Sequence, residues 1–168
     1  MKIAWVLIFL LGGLLANAQY MELRVDGMVS FDGTDFTIKE AGEDWSPSVE
    51  SQSNVSVSIE FQNFWDGLFN PNRRWRVEVM KEDLSWNNQV ALEIRRTGDG
   101  YANWYNNQGK TRIDGGENYL VVDGVSRDFI NGRGRAYSVP LQLKLSGISV
   151  TLGAQDFETN VILTIYDN

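Results

Sequence analysis

The stretch "SNVSVSIEF" (53–61) decides the fold class, because its apolar residues alternate strictly with polar ones. Val55, Val57, Ile59 and Phe61 fall on every second position. Successive side chains of a β-strand point to opposite faces of the sheet, so this period predicts a strand with one face in a core and the other in water. The same period recurs around residues 21–31, 75–79, 90–94, 139–145 and 157–165.

Turn-forming pairs punctuate the chain between these alternating stretches, and no stretch outside the first 19 residues shows a convincing helical period. About eight to ten short strands separated by such turns are typical of a sandwich or barrel. The sequence therefore predicts an all-β fold, a single immunoglobulin-like, Greek-key β-sandwich. The turn pairs include Asp32-Gly33, Asp66-Gly67, Asn70-Pro71, Asp114-Gly115 and Asp123-Gly124.

Pro140 interrupts the alternating run 138–145. Proline has no backbone N–H, so it removes one hydrogen bond from the ladder between neighbouring strands. Within a sheet it is usually confined to an edge strand or to the first residue of a strand. The sequence therefore predicts that Pro140 lies on an edge or at the beginning of its strand.

The first 19 residues, "MKIAWVLIFLLGGLLANAQ", have the features of a secretory signal peptide. Lys2 is followed by the apolar run 3–15 and by the small-residue motif Ala16-Asn17-Ala18. An uncleaved membrane anchor is the alternative, but the apolar run is too short to span a bilayer. We therefore predict a signal peptide (1–19) and one domain (20–168), exported to the periplasm, the cell surface or the medium.

The charge balance and the cysteine count narrow the possible partners. The chain has 15 basic and 22 acidic residues, a net charge of −7 that becomes −8 without Lys2. This acidic excess argues against nucleic acid and anionic membranes, which require basic patches. The chain contains no cysteine, so it has no disulfide and its core must stabilise it alone. That composition favours an exported bacterial protein.

Few catalytic arrangements are compatible with this composition. The chain contains no histidine and no cysteine, which removes Ser-His-Asp and Cys-His catalysis and zinc sites of the ordinary kind. A carboxylate pair remains, but Glu43/Asp44 and Asp114/Glu117 stand in turn-like segments typical of solvated residues. We therefore expect no enzyme activity, no cofactor and no metal site, with structural calcium at the Asp-Gly turns as the alternative.

Aromatic residues give the best signal for binding. An exposed ring can stack on the apolar face of a sugar while neighbouring amides bond the sugar hydroxyls. The alternative is that the rings close the end of the sandwich or cover its edges. The aromatics placed in or near loops are Trp45, Phe64, Trp65, Phe69, Trp86, Tyr101, Trp104 and Tyr105.

The segment "GYANWYNNQG" (100–109) combines aromatics and amides most densely. It is predicted to form a hairpin, in which residues 101–105 and 110–113 are the arms and 106–109 the turn. This hairpin is the candidate sugar site. Its proposed ligand-binding residues are Tyr101, Asn103, Trp104, Tyr105 and Asn107.

The last forty residues, "FINGRGRAYSVPLQLKLSGISVTLGAQDFETNVILTIYDN", resemble the end of exported bacterial β-sandwich proteins such as chaperone–usher pilins and spore-coat-U-like proteins. The chain departs from the pilin pattern in lacking a disulfide and in placing Tyr166 third from the end. The resemblance implies a final strand that a periplasmic chaperone recognises, beside a groove that a neighbouring subunit's N-terminal strand fills. The matching positions are Phe157, Val161, Leu163, Ile165 and Tyr166 in the final strand, and Met21, Leu23, Val25, Val29 and Phe31 in the donor segment.

Two functional hypotheses follow from the sequence. The first is an exported, non-catalytic protein of the cell envelope or surface, a structural or adhesive subunit that pairs strands with other subunits. The alternative is a carbohydrate-binding module or lectin-like adhesin that binds glycans through exposed aromatics. Neither hypothesis requires a nucleic acid or a transmembrane segment in the mature chain.

Overall fold

The structure is a computed structural model that describes residues 20–31, 48–52, 55–102, 112–149, 152 and 156–168. The predicted signal peptide (1–19) and segment 103–111 lie outside the described residues. In the described ranges, no helix is long and apolar enough to cross a membrane.

Ten strands and one short helix make up the regular structure of the described residues. The predicted turn pairs Asn70-Pro71 and Asp123-Gly124 lie between elements, Asp32-Gly33 lies outside the described residues, and the prediction of a turn at Asp66-Gly67 is wrong because this pair lies within a short helix. The elements are β1 (Met21–Gly27), β2 (Ser48–Glu50), β3 (Val55–Phe61), α1 (Phe64–Phe69), β4 (Arg74–Ser85), β5 (Ala91–Arg96), β6 (Arg112–Asp114), β7 (Leu120–Val122), β8 (Arg127–Arg133), β9 (Ala136–Ser146) and β10 (Glu158–Asp167).

The strands form two antiparallel sheets, which confirms the predicted all-β sandwich. The first sheet has the order β1-β3-β9-β5-β7, with β2 also paired to β9, and the second has the order β10-β4-β8-β6. From β3 to β10, consecutive strands alternate between the two sheets. Among Greek-key sandwiches, this wrapping of paired strands across two sheets is the jelly-roll arrangement.

The core lies between the two sheets and consists of the apolar residues that the alternation places on the inner faces. Val57 and Ile59 of β3 pack there with Val77 of β4. Trp75 is the largest fully buried side chain among the described residues, only 1% exposed, and its indole Nε1–H donates to the Gly134 carbonyl at 2.7 Å. Because the polar indole atom is satisfied, this ring is buried without an unpaired donor.

The prediction that Pro140 marks an edge or a strand beginning is wrong. Pro140 is the fifth residue of β9, the central strand of the first sheet. The Pro140 carbonyl accepts from the Thr97 amide at 2.9 Å, so both backbone polar positions of Pro140 face the β5 side. Strand β5 ends at Arg96, which pairs with Leu141. The missing N–H therefore falls just beyond the end of the neighbouring strand.

The strand register brings three connections to one end of the sandwich. Ile59 near the end of β3 pairs with Ala136 at the start of β9. Trp75 at the start of β4 and Ile113 of β6 both pair with Gly132 near the end of β8. The β3–β4, β5–β6 and β8–β9 connections therefore leave the sheets at the same end, which we call the helix end because α1 lies there.

Candidate functional site

The helix α1 forms in the β3–β4 connection under clear local signals. Asn63 precedes the helix, a position where asparagine is favoured, and its carbonyl accepts from the Gly67 amide at 3.4 Å. Asn70-Pro71 follows the helix, and a residue before proline is disfavoured in the helical conformation. These signals confine the helix to six residues, 64–69.

Gly67 fixes how α1 rests on the sandwich. A Cβ atom at Gly67 would lie 2.5 Å from Nη2 of Arg135 and 3.0 Å from Cδ2 of Phe61. The guanidinium of Arg135 in turn lies 5.3 Å from the centre of the Phe61 ring. The helix thus contacts the sandwich through a glycine, whereas a typical amphipathic helix buries large apolar side chains.

The large side chains of α1 consequently face solvent and form what we call the aromatic surface: Phe64, Trp65, Leu68 and Phe69. Each is between 55% and 72% exposed. The rings of Trp65 and Phe69 lie nearly parallel, with centroids 5.9 Å apart and an interplanar angle of 17°. Phe64 meets Trp65 edge-on at 5.6 Å. Contiguous exposed apolar side chains of this kind mark interaction sites.

A cleft of about 530 Å³ opens beside the aromatic surface, and we call it the helix cleft. This volume lies within the range of small-ligand sites, roughly 300–1,000 Å³. Amide side chains and arginines dominate its wall. The lining residues are Phe69, Asn70, Pro71, Asn72, Arg73, Arg74 and Asn168.

A second cleft of about 430 Å³, the arginine cleft, shares the lining residues Arg74 and Asn168 with the first. It lies against the start of β4 and the end of β8. Its lining residues are Arg74, Trp75, Asp114, Asn131, Gly132, Arg133 and Asn168.

Contacts between the two ends of the described chain hold Arg73 in place. The Arg73 guanidinium lies 3.7 Å from the centre of the Tyr20 ring, and its Nε lies 4.0 Å from Oδ1 of Asp167. The Tyr20 backbone N–H donates to Oδ2 of Asp167 at 2.9 Å. The positive charge of a cation that lies over an aromatic face and beside a carboxylate is stabilised by both groups. Arg73 is therefore a structural part of the cleft wall.

Tyr101 is the one member of the predicted sugar-binding set within the described residues. It exchanges two backbone hydrogen bonds with Tyr137, of 2.9 and 2.8 Å, and the two rings stack with centroids 5.5 Å apart. Its side chain is exposed. The remaining members, Asn103, Trp104, Tyr105 and Asn107, lie outside the described residues.

The described ends of the predicted hairpin join different sheets. Tyr101 bridges to Tyr137 in the first sheet, beside the start of β9, while β6 pairs with β8 in the second. Both ends lie at the helix end of the sandwich. The segment between them therefore starts and finishes beside the end that carries the aromatic surface.

Residues 21–27 of the predicted donor segment form β1, which pairs along its whole length with β3 of the same chain, and residues 28–31 follow the strand. Met21 lies opposite Phe61 and is completely buried, and Leu23 and Phe31 pack against the core. Val25 and Val29 are exposed. Exchange of this segment between molecules stays a prediction.

The final strand, β10, lies at the edge of the second sheet and pairs with β4. Its inner-face residues contact the core, whereas Tyr166 faces outward beneath the Arg76 guanidinium at 4.9 Å. Phe157, just before the strand, lies 5.8 Å from Trp86 between ring centroids. The predicted inner-face residues are Val161, Leu163 and Ile165.

A buried arginine, Arg96, links the segment that follows β5 to the segment around the end of β6. The side chain of Arg96 donates to the carbonyls of Gly115 and Ile113 and forms ion pairs with Asp99 and Glu117. Glu117, one of the carboxylates weighed for catalysis, is thereby held in an ion pair. In the described ranges, no group of three or more His, Cys, Asp or Glu side chains is placed to hold a metal ion.

Tyr119 lies between two cations on the outer face of the first sheet. The Arg95 guanidinium is 4.5 Å and the Lys144 Nζ 4.2 Å from its ring centre. Burial, followed by a hydrogen bond with Glu50, raises the pKa of Tyr119 to about 12. The phenol therefore stays protonated at neutral pH.

Sequence reasoning grouped the aromatics of α1 with other loop aromatics without singling them out. The available signal was the segment "FQNFWDGLFNPN" (61–72), which repeats the mixture of rings and amides found in 100–109. Asp66-Gly67 was interpreted as a turn pair, and a six-residue helix is too short to show a period.

Comparison with known proteins adds no relative. No family model, curated protein or solved structure matches the chain. The functional argument therefore depends on the residues themselves.

Proposed function

We propose that this protein is an exported, non-catalytic β-sandwich of the cell envelope or surface that works by adhesion. We further propose that it binds carbohydrate through the aromatic surface of α1 and the adjoining helix cleft. The nearly parallel, solvent-facing rings of Trp65 and Phe69 carry this proposal.

The ring geometry suits a sugar because a pyranose presents a flat array of C–H groups on each face. Aromatic rings attract such weakly positive C–H groups through their negative π faces and bury them from water. Two rings set 5.9 Å apart and almost parallel offer a continuous flat surface. Stability alone favours burying such side chains rather than exposing them.

The surroundings of the rings favour a hydroxyl-rich ligand over a purely apolar one. Gln62, Asn70 and Asn72 are exposed around α1, and Asn168 completes the cleft wall. Each amide offers both a donor and an acceptor, which matches the dual character of a sugar hydroxyl. An apolar protein partner or a lipid tail would leave these amides unpaired, at a cost in binding free energy.

The position of the predicted hairpin is consistent with the same site. The segment 103–111 begins after Tyr101 and returns at Arg112, both at the helix end. The two ring-and-amide segments of the sequence are thus attached to one end of the sandwich. Loops gathered at one end of a rigid sandwich are a common place for binding residues.

The experiment is retention of the purified domain on insoluble cellulose, chitin and xylan, compared among wild type, Trp65→Ala and Phe69→Ala. Each substitution is expected to weaken retention about tenfold or more, because a stacked ring contributes roughly 1.5 kcal/mol. Since both rings are exposed, each variant should keep its melting temperature within about 2 °C.

Leu84→Ala is the matched control, because Leu84 is as exposed as the α1 side chains but lies at the opposite end of β4. It should leave retention unchanged. If the wild type binds none of the polysaccharides, or if Leu84→Ala weakens binding as much as Trp65→Ala, the proposal is wrong. Dimers in light scattering that Trp65→Ala dissociates would instead assign the surface to self-association.

A role as a structural subunit rests on a separate observation. The two strands at one side of the sandwich, β1 and β10, are edge strands of different sheets that lie close together. Among the described strands, none pairs with their outer edges. An open edge is a template for strand addition. Heat-sensitive multimers of residues 20–168 on an unheated denaturing gel would support this role, and a stable monomer would remove it.

A further inference from the structure

Two arginines occupy directly opposed positions on neighbouring strands at the helix end. Arg74 of β4 pairs with Arg133 of β8, and the backbone of Arg112 in β6 pairs with Arg133 on its other side. Directly opposed residues have Cβ atoms about 4.5–5.5 Å apart, and like charges in such positions are destabilising. This arrangement therefore costs stability in the isolated protein.

Both side chains project away from the core. Trp75 and Gly132, the next pair in the same register, lie on the inner face of the second sheet. Since successive residues of a strand point to opposite faces, Arg74 and Arg133 lie on the outer face, where both are exposed. There they line the arginine cleft together with Asn131 and Asn168.

Among the described residues, Arg74 and Arg133 have no carboxylate partner, unlike several other arginines. Arg76, Arg96 and Arg127 each form ion pairs with Asp or Glu. Within the described residues, no ion pair involves Arg74 or Arg133, although the chain as a whole carries a net charge of −7. Asp114 also lines the cleft, so the cleft presents two guanidinium groups beside one side-chain carboxylate.

We infer that the arginine cleft binds the anionic substituent of an acidic polysaccharide, either the carboxylate of a uronate or a sulfate ester. This inference rests on the proposed carbohydrate function, because the arginine cleft shares Arg74 and Asn168 with the helix cleft, which Phe69 of the aromatic surface also lines. A guanidinium fork bonds the oxygens of either group in a bidentate manner. The amides of Asn131 and Asn168 then face the neighbouring hydroxyls.

An acidic glycan fits this site better than an anionic membrane. The arginines line a cleft that one substituent can enter, while a flat lipid surface would meet mainly the protein's acidic exterior. The amides of the cleft would also gain no partners from acyl chains.

The test measures retention of wild-type protein on immobilised polygalacturonate, dextran sulfate and uncharged dextran, and on vesicles of phosphatidylcholine with phosphatidylserine. The double variant Arg74→Gln/Arg133→Gln is compared with Arg127→Gln, which removes an ion-paired arginine from the opposite end of the same strand. The double variant should fold, because it removes a like-charge contact, and its melting temperature should not fall.

The expected result is retention on one or both acidic polymers that is at least about tenfold tighter than on dextran and that weakens with salt. The double variant should lose that preference about tenfold, and Arg127→Gln should stay within about twofold of wild type. Loss on polygalacturonate alone assigns a uronate, and loss on dextran sulfate alone assigns a sulfate ester.

Three results would overturn the inference: unchanged acidic-polymer binding by the double variant, an equal loss in Arg127→Gln, or arginine-dependent binding confined to the vesicles. The first of these, combined with loss of cellulose, chitin or xylan retention by Trp65→Ala, would leave the proposed carbohydrate function standing. Arginine-dependent retention on an acidic polymer that Trp65→Ala does not change would instead keep the anion site and remove the aromatic one.

Discussion

Replacing Gly132 with alanine tests the packing of the core at its tightest point. A Cβ atom at position 132 would lie 2.3, 2.5 and 2.9 Å from three atoms of the Trp75 ring. Carbon atoms in contact prefer about 3.5–4.0 Å, so the ring must retreat by roughly 1 Å. The ring cannot move freely, since it is buried and its indole N–H donates to Gly134 at 2.7 Å.

The magnitude follows from these two effects. Overpacking a core costs about 1–3 kcal/mol, and straining the indole hydrogen bond adds roughly 1 kcal/mol. We therefore expect Gly132→Ala to lower the free energy of unfolding by about 3 kcal/mol. For a domain of this size, that corresponds to a fall in melting temperature of about 6–12 °C.

Gly124→Ala is the matched control for this prediction. The nearest atom to a Cβ there is the Lys81 carbonyl oxygen at 4.0 Å, an ordinary contact. This variant should be neutral or slightly more stable, because alanine restricts the unfolded chain. Thermal and guanidinium unfolding of both variants decide the matter. Equal stability of Gly132→Ala and Gly124→Ala would refute the packing that places Trp75 against β8.

Three further predictions concern single side chains. Arg96→Met should lower the free energy of unfolding by about 2–3 kcal/mol in guanidinium titrations, because the buried carbonyl of Ile113 and the carbonyl of Gly115 both lose their donor; an unchanged midpoint would contradict this. Because the pKa of Tyr119 is raised to about 12, stability should fall as pH rises from about 10 towards 12, and Tyr119→Phe should flatten that fall. Parallel pH profiles of the two proteins would rule it out. Ser138 has a φ of 50°, so Ser138→Gly should gain about 1 kcal/mol whereas Ser138→Ala gains none.

The fold class could be predicted from the sequence because the core residues alternate. Val55, Val57, Ile59 and Phe61 are all buried, as the period of two requires. The position of Pro140 could not be predicted, since the loss of its N–H is harmless only because β5 happens to end there. Strand ends depend on neighbours distant in sequence, which local patterns do not encode.

The two candidate clefts were beyond sequence reasoning for the same reason. Arg74 and Arg133 become neighbours only through the register of β4 and β8. Trp65 is exposed because α1 rests on Phe61 through Gly67. This is a contact between two separate elements, which the local sequence pattern does not reveal. The composition of the sequence did carry a signal for the aromatic surface. Segment 61–72 mixes aromatic and amide residues, and this mixture was as strong a signal as that of segment 100–109.

Two features that lower the stability of the isolated protein lie at the helix end: the opposed arginines and the exposed rings of α1. Charged side chains on neighbouring strands are complementary at some positions, as with Glu93 and Lys144 at 2.7 Å, whereas Glu22 opposes Glu60 and Glu78 opposes Asp128. At the helix end, Arg74 and Arg133 oppose each other, and the exposed Phe69 of the glycine-backed helix α1 lines the helix cleft together with Arg74. Sequences tend to break the rules of stability where a function compensates. A single ligand that carries both an apolar sugar face and an anionic group would contact both the exposed rings and the opposed arginines, which is the binding mode proposed above.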